Sequence, residues 1–196
     1  MLSNIEYVSS GCNNVPHTLA VRKDELIYAA CNGIIIVDVK HDQLVAKRTL
    51  TGHTERVNCV RWISDDSFVS GSSDKKVILW SKQEISAKLE GHTGSVTVAD
   101  GLKEKGLIVS ASTDSALKFW ERQQDDTWNC FQTFICPKSG FALDVKVIEC
   151  EDKDLWIFAS FDDCSIRLFC KSQESSKYFK ETDYFHPGVS HRNCQG

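Results

Sequence analysis

The sequence has few of the features that mark membrane, secreted or nucleic-acid-binding chains. No apolar run approaches the roughly 18 residues that a membrane-spanning helix needs. The first residues, MLSNIEYVSSGC, lack a basic segment followed by an apolar one, so they are unlike a secretory signal. Lysine and arginine (23) do not outnumber aspartate and glutamate (27), which argues against a broad basic surface. We therefore expect no membrane contact and no direct contact with nucleic acid.

The chain also lacks the usual patterns of a metal or cofactor site. It has nine cysteines, an odd number, but no CxxC pair and no glycine-rich phosphate loop. Several cysteines lie in strand-like apolar runs, which favours reduced thiols in a protein of the cytoplasm and nucleus. His186, His191 and Cys194 offer three possible zinc ligands without a fourth. We expect no metal and no cofactor.

Two segments of the chain, residues 52–80 and 91–120, repeat one pattern. Both begin with Gly-His and end in Trp, and in both an Asp precedes the Trp by six residues. The matching positions lie 39 or 40 residues apart and are His53 with His92, Asp74 with Asp114, and Trp80 with Trp120. Fainter copies occur in LIYAACNGIIIVD and LWIFASFDDCSIRLF. A repeat of this length indicates a propeller or a solenoid.

The segments within each repeat are short, rich in β-branched and aromatic residues, and separated by turn-forming clusters, which predicts strands. On these motifs the chain resembles the WD-repeat family. The resemblance implies an all-β WD40 β-propeller with about four blades of an incomplete seven-bladed ring; a small closed ring of four blades is the alternative. We expect blades at about 18–45, 52–88, 91–134 and 140–170, a lone strand at 1–12, and a divergent, disordered tail at 171–196.

In WD-repeat proteins a buried hydrogen-bond chain within each blade joins the His of the Gly-His pair, a strand Ser or Thr, a turn Asp and the Trp. By resemblance, the chain of blade 2 is His53, Ser70, Asp74 and Trp80, with Ser72 as the alternative serine. The chain of blade 3 is His92, Ser110, Asp114 and Trp120. His, Ser and Asp are also the residues of a hydrolase triad. Because the set occurs twice at a fixed period, we expect an architectural role and no catalytic residue.

Partner-binding residues are expected on the face where the first strand of each blade begins. By register with the family, the candidates are Arg56, Asn58, Ser73, Ser95, Thr97, Thr113 and Asp162. Arg56 is the strongest, since arginine is enriched at interface hot spots. The alternative interpretation is that these are ordinary solvated turn residues.

Four further segments resemble the WD-repeat subunits of the Elongator complex: YVSSGCNNVPHTL, LTGHTERVNCVRWI, GFALDVKV and FDDCSIRLF. This resemblance implies a non-catalytic scaffold, here in truncated form, that holds the large and catalytic subunits of a complex modifying the wobble uridine of transfer RNA. The alternative is a generic WD-repeat adaptor, such as a ubiquitin-ligase substrate receptor or a histone-tail reader.

Overall fold

The computed structural model describes residues 13–40, 43–136, 140–151, 154–171 and 179–182. These residues form four four-stranded antiparallel sheets, and in each sheet the strands are neighbours in chain order. The predicted all-β fold and the count of four blades are confirmed. The described strands do not close a ring. The expected lone strand at 1–12 lies outside the described residues.

The sixteen strands of the described residues divide evenly among the four blades. Blade 1 contains β1 (Leu19–Arg22), β2 (Glu25–Ala30), β3 (Gly33–Lys40) and β4 (Gln43–Thr51). Blade 2 contains β5 (Val57–Trp62), β6 (Ser67–Ser72), β7 (Val77–Ser81) and β8 (Glu84–Leu89). Blade 3 contains β9 (Val96–Leu102), β10 (Leu107–Ser112), β11 (Ala116–Arg122) and β12 (Trp128–Ile135), with a 3-10 turn at Lys103–Lys105. Blade 4 contains β13 (Ala142–Glu149), β14 (Leu155–Phe161), β15 (Ile166–Lys171) and β16 (Lys180–Thr182).

The turn between the second and third strands recurs in all four blades with one residue in the left-handed region. That residue is Cys31, Lys75, Ser115 or Cys164, with φ between 53° and 70°. In blades 2, 3 and 4 an aspartate precedes it, and a short polar side chain suits such a turn because it can accept the backbone N–H two residues later. Asp74 and Asp163 both make this contact, to the N–H groups of Lys76 and Ser165.

Each pair of neighbouring blades encloses its own apolar cluster. Ile27 and Ile36 of blade 1 pack against Phe68 and Trp80 of blade 2. The two further clusters lie between blades 2 and 3 and between blades 3 and 4. Strand β6 is buried along its whole length, since blades cover both of its faces. The first strands of successive blades, β1, β5, β9 and β13, lie next to one another.

The structure differs from the expected blade limits at two places. Blade 1 continues to Thr51, because β4 pairs with β3 along its length. Blade 4 continues beyond residue 170, because Lys180–Thr182 pairs with β15 and Phe179 is buried. The expectation of a disordered tail from residue 171 therefore does not hold for 179–182, where a single buried aromatic side chain anchors an otherwise polar segment. Residues 172–178 and 183–196 lie outside the described part, as do His186, His191 and Cys194.

Candidate functional site

In blade 2 the four residues of the repeated motif form one continuous hydrogen-bond chain. The indole Nε1 of Trp80 donates to Oγ of Ser70 at 2.8 Å. Oγ of Ser70 lies 2.8 Å from Nε2 of His53, and Nδ1 of His53 lies 2.9 Å from Oδ2 of Asp74. Because indole only donates and a carboxylate only accepts, the chain has one consistent direction from Trp80 to Asp74. Ser72, the alternative serine, instead accepts the backbone N–H of Asp74 through its hydroxyl oxygen.

Blade 3 repeats the arrangement with nearly the same distances. Nε1 of Trp120 donates to Oγ of Ser110 at 2.8 Å, and that oxygen lies 2.9 Å from Nε2 of His92. Nδ1 of His92 lies 3.0 Å from Oδ2 of Asp114, which also accepts the backbone N–H of Thr93 at 2.8 Å. Every member of the chain is paired, and a fully paired buried network is the favourable kind.

The electrostatics favour a neutral imidazole beside an ionised carboxylate. Burial lowers the pKa of His53 below its usual value, although the nearby Asp74 acts in the opposite direction. Burial alone would raise the pKa of Asp74, but the N–H of Thr54 and the ring of His53 hold it below its usual value. The pKa values of His92 and Asp114 shift in the same directions for the same reasons.

These shifts predict that acidification destabilises the fold. Because the pKa values of His53 and His92 are lowered in the folded state, the unfolded chain takes up protons first as the pH falls below about 6.5. By linkage, the free energy of unfolding then decreases as the pH falls, until the pH reaches the lowered pKa of the folded state. Urea unfolding between about pH 7.5 and 5.5, where histidines are the main titrating side chains, measures this loss. A free energy of unfolding that increases as the pH is lowered over this interval would contradict the prediction.

The His, Ser and Asp of each blade have the connectivity of a hydrolase triad but not its accessibility. Ser70 and Ser110 are fully buried, and each hydroxyl oxygen already accepts an indole N–H. A nucleophile must reach the substrate carbonyl, which neither hydroxyl does in this arrangement. The two sets therefore brace their blades.

The seven candidate partner-binding residues differ in exposure. Arg56, Thr113 and Asp162 are exposed; Ser73, Ser95 and Thr97 are half-buried; Asn58 is buried. Asn58 is thus not the surface residue that the family register predicts, because its Nδ2 donates to Oγ of Ser95 and to the carbonyl of Val96 in blade 3. Thr97 donates to the carbonyl of Ala142 in blade 4. These two side chains join blades, and the exposed Arg56 remains the strongest candidate for binding a partner.

A charged cluster that the sequence did not predict joins the first strands of three blades. Arg61 of β5 donates from Nη1 to the carbonyl of Val145 at 2.9 Å and from Nη2 to Oδ1 of Asp144 at 3.3 Å. Its Nη1 also lies 3.6 Å from Oδ2 of Asp100. Asp100 is buried, which raises its pKa, while the charge of Arg61 opposes that shift. An arginine of blade 2 therefore contacts both blade 3 and blade 4.

Blade 1 has the hydrogen bonds of one asparagine side chain in place of the polar chain. Its turn between the second and third strands has no aspartate and carries Cys31 in the left-handed position, and Val37 is buried at the position of the tryptophan. Asn13 accepts the N–H of Cys31 through Oδ1 and donates from Nδ2 to the carbonyls of Cys31 and Val57, each at 2.8 Å. One amide side chain thus connects blade 1 to blade 2.

The described residues offer little that points to other kinds of site. They include no group of three or more His, Cys, Asp and Glu side chains placed to hold a metal ion. Nor do they include a helix long and apolar enough to span a membrane.

Comparison with known protein families agrees with the repeats of blades 2 and 3. The family model "WD domain, G-beta repeat" matches residues 45–81 and 83–121. Each match begins in or near the last strand of one blade and ends with the third strand of the next, so the sequence repeat is offset from the sheet by one strand. This offset explains why the Gly-His of each repeat lies between two sheets.

Several curated relatives share one name. The chain is 35% identical over 77% of its length to Elongator complex protein 2 of Drosophila melanogaster, of which it covers 20%. It is 34% identical over 66% of its length to Elongator complex protein 2 of Homo sapiens, of which it covers 18%. The chain thus spans about a fifth of the length of these relatives.

A solved structure supports the fold alone. The crystal structure of the computationally designed Ika8 protein matches with a TM-score of 0.60 and 22% identity, over 76% of this chain and 44% of the designed one. The repeat matches give the assignment: the chain contains WD40 repeats and is similar over much of its length to proteins named Elongator complex protein 2.

Proposed function

We propose that the chain acts as a non-catalytic WD-repeat scaffold of the Elongator complex, in the cytoplasm and nucleus. Its partners are then the large and catalytic subunits of that complex, and its process is modification of the wobble uridine of transfer RNA. The observation that carries the proposal is the 35% identity to Elongator complex protein 2 over 77% of the chain. The geometry supports it, because the His, Ser, Asp and Trp of blades 2 and 3 hydrogen-bond to one another inside the blades, while polar loops face outward.

Affinity purification of the tagged chain from the cells in which it occurs, followed by identification of the co-purifying chains, tests this proposal. We expect the large and catalytic Elongator subunits to be recovered. Recovery of cullin-linked subunits without them would instead support the substrate-receptor alternative. Recovery of histone tails would support the reader alternative, and either result would overturn the proposal.

Arg56 gives the sharpest prediction about where a partner binds. Arg56→Glu reverses an exposed charge beside the interblade contact of Asn58. We expect at least a tenfold lower recovery of partner chains, since a reversed charge in an interface is repelled by groups that match the native one. Lys75→Glu, at an exposed lysine two residues after Ser73, makes the same change of charge outside the candidate set and serves as the control. Equal recovery with both variants would contradict the prediction.

A further inference from the structure

A small cleft lies between blades 1 and 2, at the opposite end of β5 from Arg56. Two aromatic side chains line it, Trp62 at the end of β5 and Phe68 of β6, and their ring centroids lie 5.2 Å apart. The volume of the cleft is about 190 Å³, below the roughly 300–1,000 Å³ of pockets that hold small molecules and cofactors. Its size therefore suits a single side chain of another protein.

Two side chains in the lining of this cleft carry unpaired hydrogen-bond donors. Nε1 of Trp62 and Nε of Arg22 are buried, and neither has an acceptor among the described residues. An indole N–H and a guanidinium N–H can only donate, so each requires an oxygen or another acceptor. Buried donors without a partner are uncommon in folded proteins, because leaving them unpaired costs stability. The described part of the chain thus leaves both donors free for an acceptor from outside it.

The other groups of Arg22 hold its guanidinium over the indole of Trp62. Cζ of Arg22 lies 4.4 Å from the centroid of the ring, an arrangement that the attraction between a cation and a π-system favours. Nη1 donates to the carbonyl of Ser64 at 2.8 Å and to Oδ1 of Asp65 at 3.3 Å. Both unpaired donors therefore belong to one stacked pair of side chains, which blade 1 and blade 2 contribute jointly.

The carboxylates in the lining, in contrast, are already paired. Each of them lies within 3.1 Å of a lysine amine: Glu25 with Lys47, Asp65 with Lys23, and Asp66 with Lys103. Lys82 also lines the cleft, is exposed, and forms no ion pair with the described residues. The lining thus combines paired carboxylates with two unpaired N–H donors and one unpaired cation, which favours a negatively charged acceptor.

We propose that this cleft binds a glutamate or aspartate side chain from an acidic segment of a partner protein. The carboxylate accepts the N–H groups of Trp62 and Arg22, and the amine of Lys82 adds an opposite charge. The side chain of Arg22 is 22% exposed and Trp62 is half-buried, so a small rotation of the guanidinium presents both donors to the cleft. A lysine or arginine side chain would bring further donors to these donors and is rejected. The site is separate from Arg56 and does not depend on which complex the partner belongs to.

The indole N–H resonance of Trp62 in the nitrogen-15-labelled full chain tests the proposal directly, and Trp62→Phe assigns that resonance. The capped tetrapeptide Gly-Glu-Glu-Gly is added to the unchanged chain up to millimolar concentrations, which detect even weak binding. We expect the resonance to move downfield and to saturate, because the N–H gains an acceptor. The indole N–H groups of Trp80 and Trp120 already donate to Ser70 and Ser110, so their resonances should not move.

Matched peptides and variants separate this site from unspecific attraction. The tetrapeptide with glutamine in place of both glutamates should bind at least about fivefold more weakly, since its acceptors carry no charge. Lys82→Gln should weaken binding of the acidic peptide about threefold, as for other exposed charge pairs. Lys88→Gln, at an exposed lysine of β8 outside the cleft, should leave binding unchanged. An unmoved Trp62 resonance, equal affinity for the two peptides, or equal effects of the two lysine variants would each overturn the proposal.

Discussion

Asp114→Ala is expected to lower the free energy of unfolding by about 2–4 kcal/mol. The carboxylate of Asp114 accepts the ring N–H of His92 and the backbone N–H groups of Thr93 and Ala116. Its removal leaves these donors without their acceptor, and the ring of His92 is almost fully buried. Asp74→Ala removes the matching contacts of blade 2 and should have a similar effect. Urea unfolding at neutral pH measures both.

Asp163→Ala is the matched control in blade 4. Asp163 occupies the same turn position, but it is exposed, and its contacts among the described residues are the N–H of Ser165, which it accepts, and Arg167. We expect a loss below about 1 kcal/mol, as for other exposed contacts. Asp114→Asn keeps one acceptor oxygen and should fall between the two. Losses of equal size for Asp74, Asp114 and Asp163 would show that the turn, and not the buried chain, carries the stabilisation.

The sequence allowed these polar chains to be located because their members lie close together along the chain. His53 and Trp80 are 27 residues apart, and His92 and Trp120 of the next repeat are 28 apart. Repetition removes most of the ambiguity of a single motif, because a chance match does not repeat at a fixed period. The blade count followed from the same period. Whether a complete ring has seven blades stays a prediction.

Contacts that occur only once were not predictable in this way. Arg61 contacts Val145, 84 residues later, and Gln132 contacts Phe179, 47 residues later. Neither pair repeats, so no spacing identifies it. Asn58 was placed on the surface by register, but register gives only the position along a strand, and the contact with Val96 of the neighbouring blade buries the side chain.

Arg61→Met is expected to cause the largest loss of all the substitutions considered, about 3–5 kcal/mol. It leaves Asp100, whose side chain is only 7% exposed, without the guanidinium 3.6 Å away. It also removes the donor to the carbonyl of Val145 and so the direct link from blade 2 to blade 4. Methionine keeps much of the apolar length of the side chain, so the loss reports mainly on charge and hydrogen bonding. Thermal and urea unfolding measure it.

Adding Asp100→Asn separates the two causes. If the buried charge dominates, the double variant recovers a large part of the loss, because asparagine is neutral and still offers an oxygen to the N–H of Val147. Protonation should act in the same direction: the pKa of Asp100 is already raised in the fold, so lowering the pH favours the folded Arg61→Met chain relative to the unchanged one. A double variant as unstable as Arg61→Met at every pH would instead assign the loss to the broken link with blade 4, and Arg61 would then act by holding the blades at their angle.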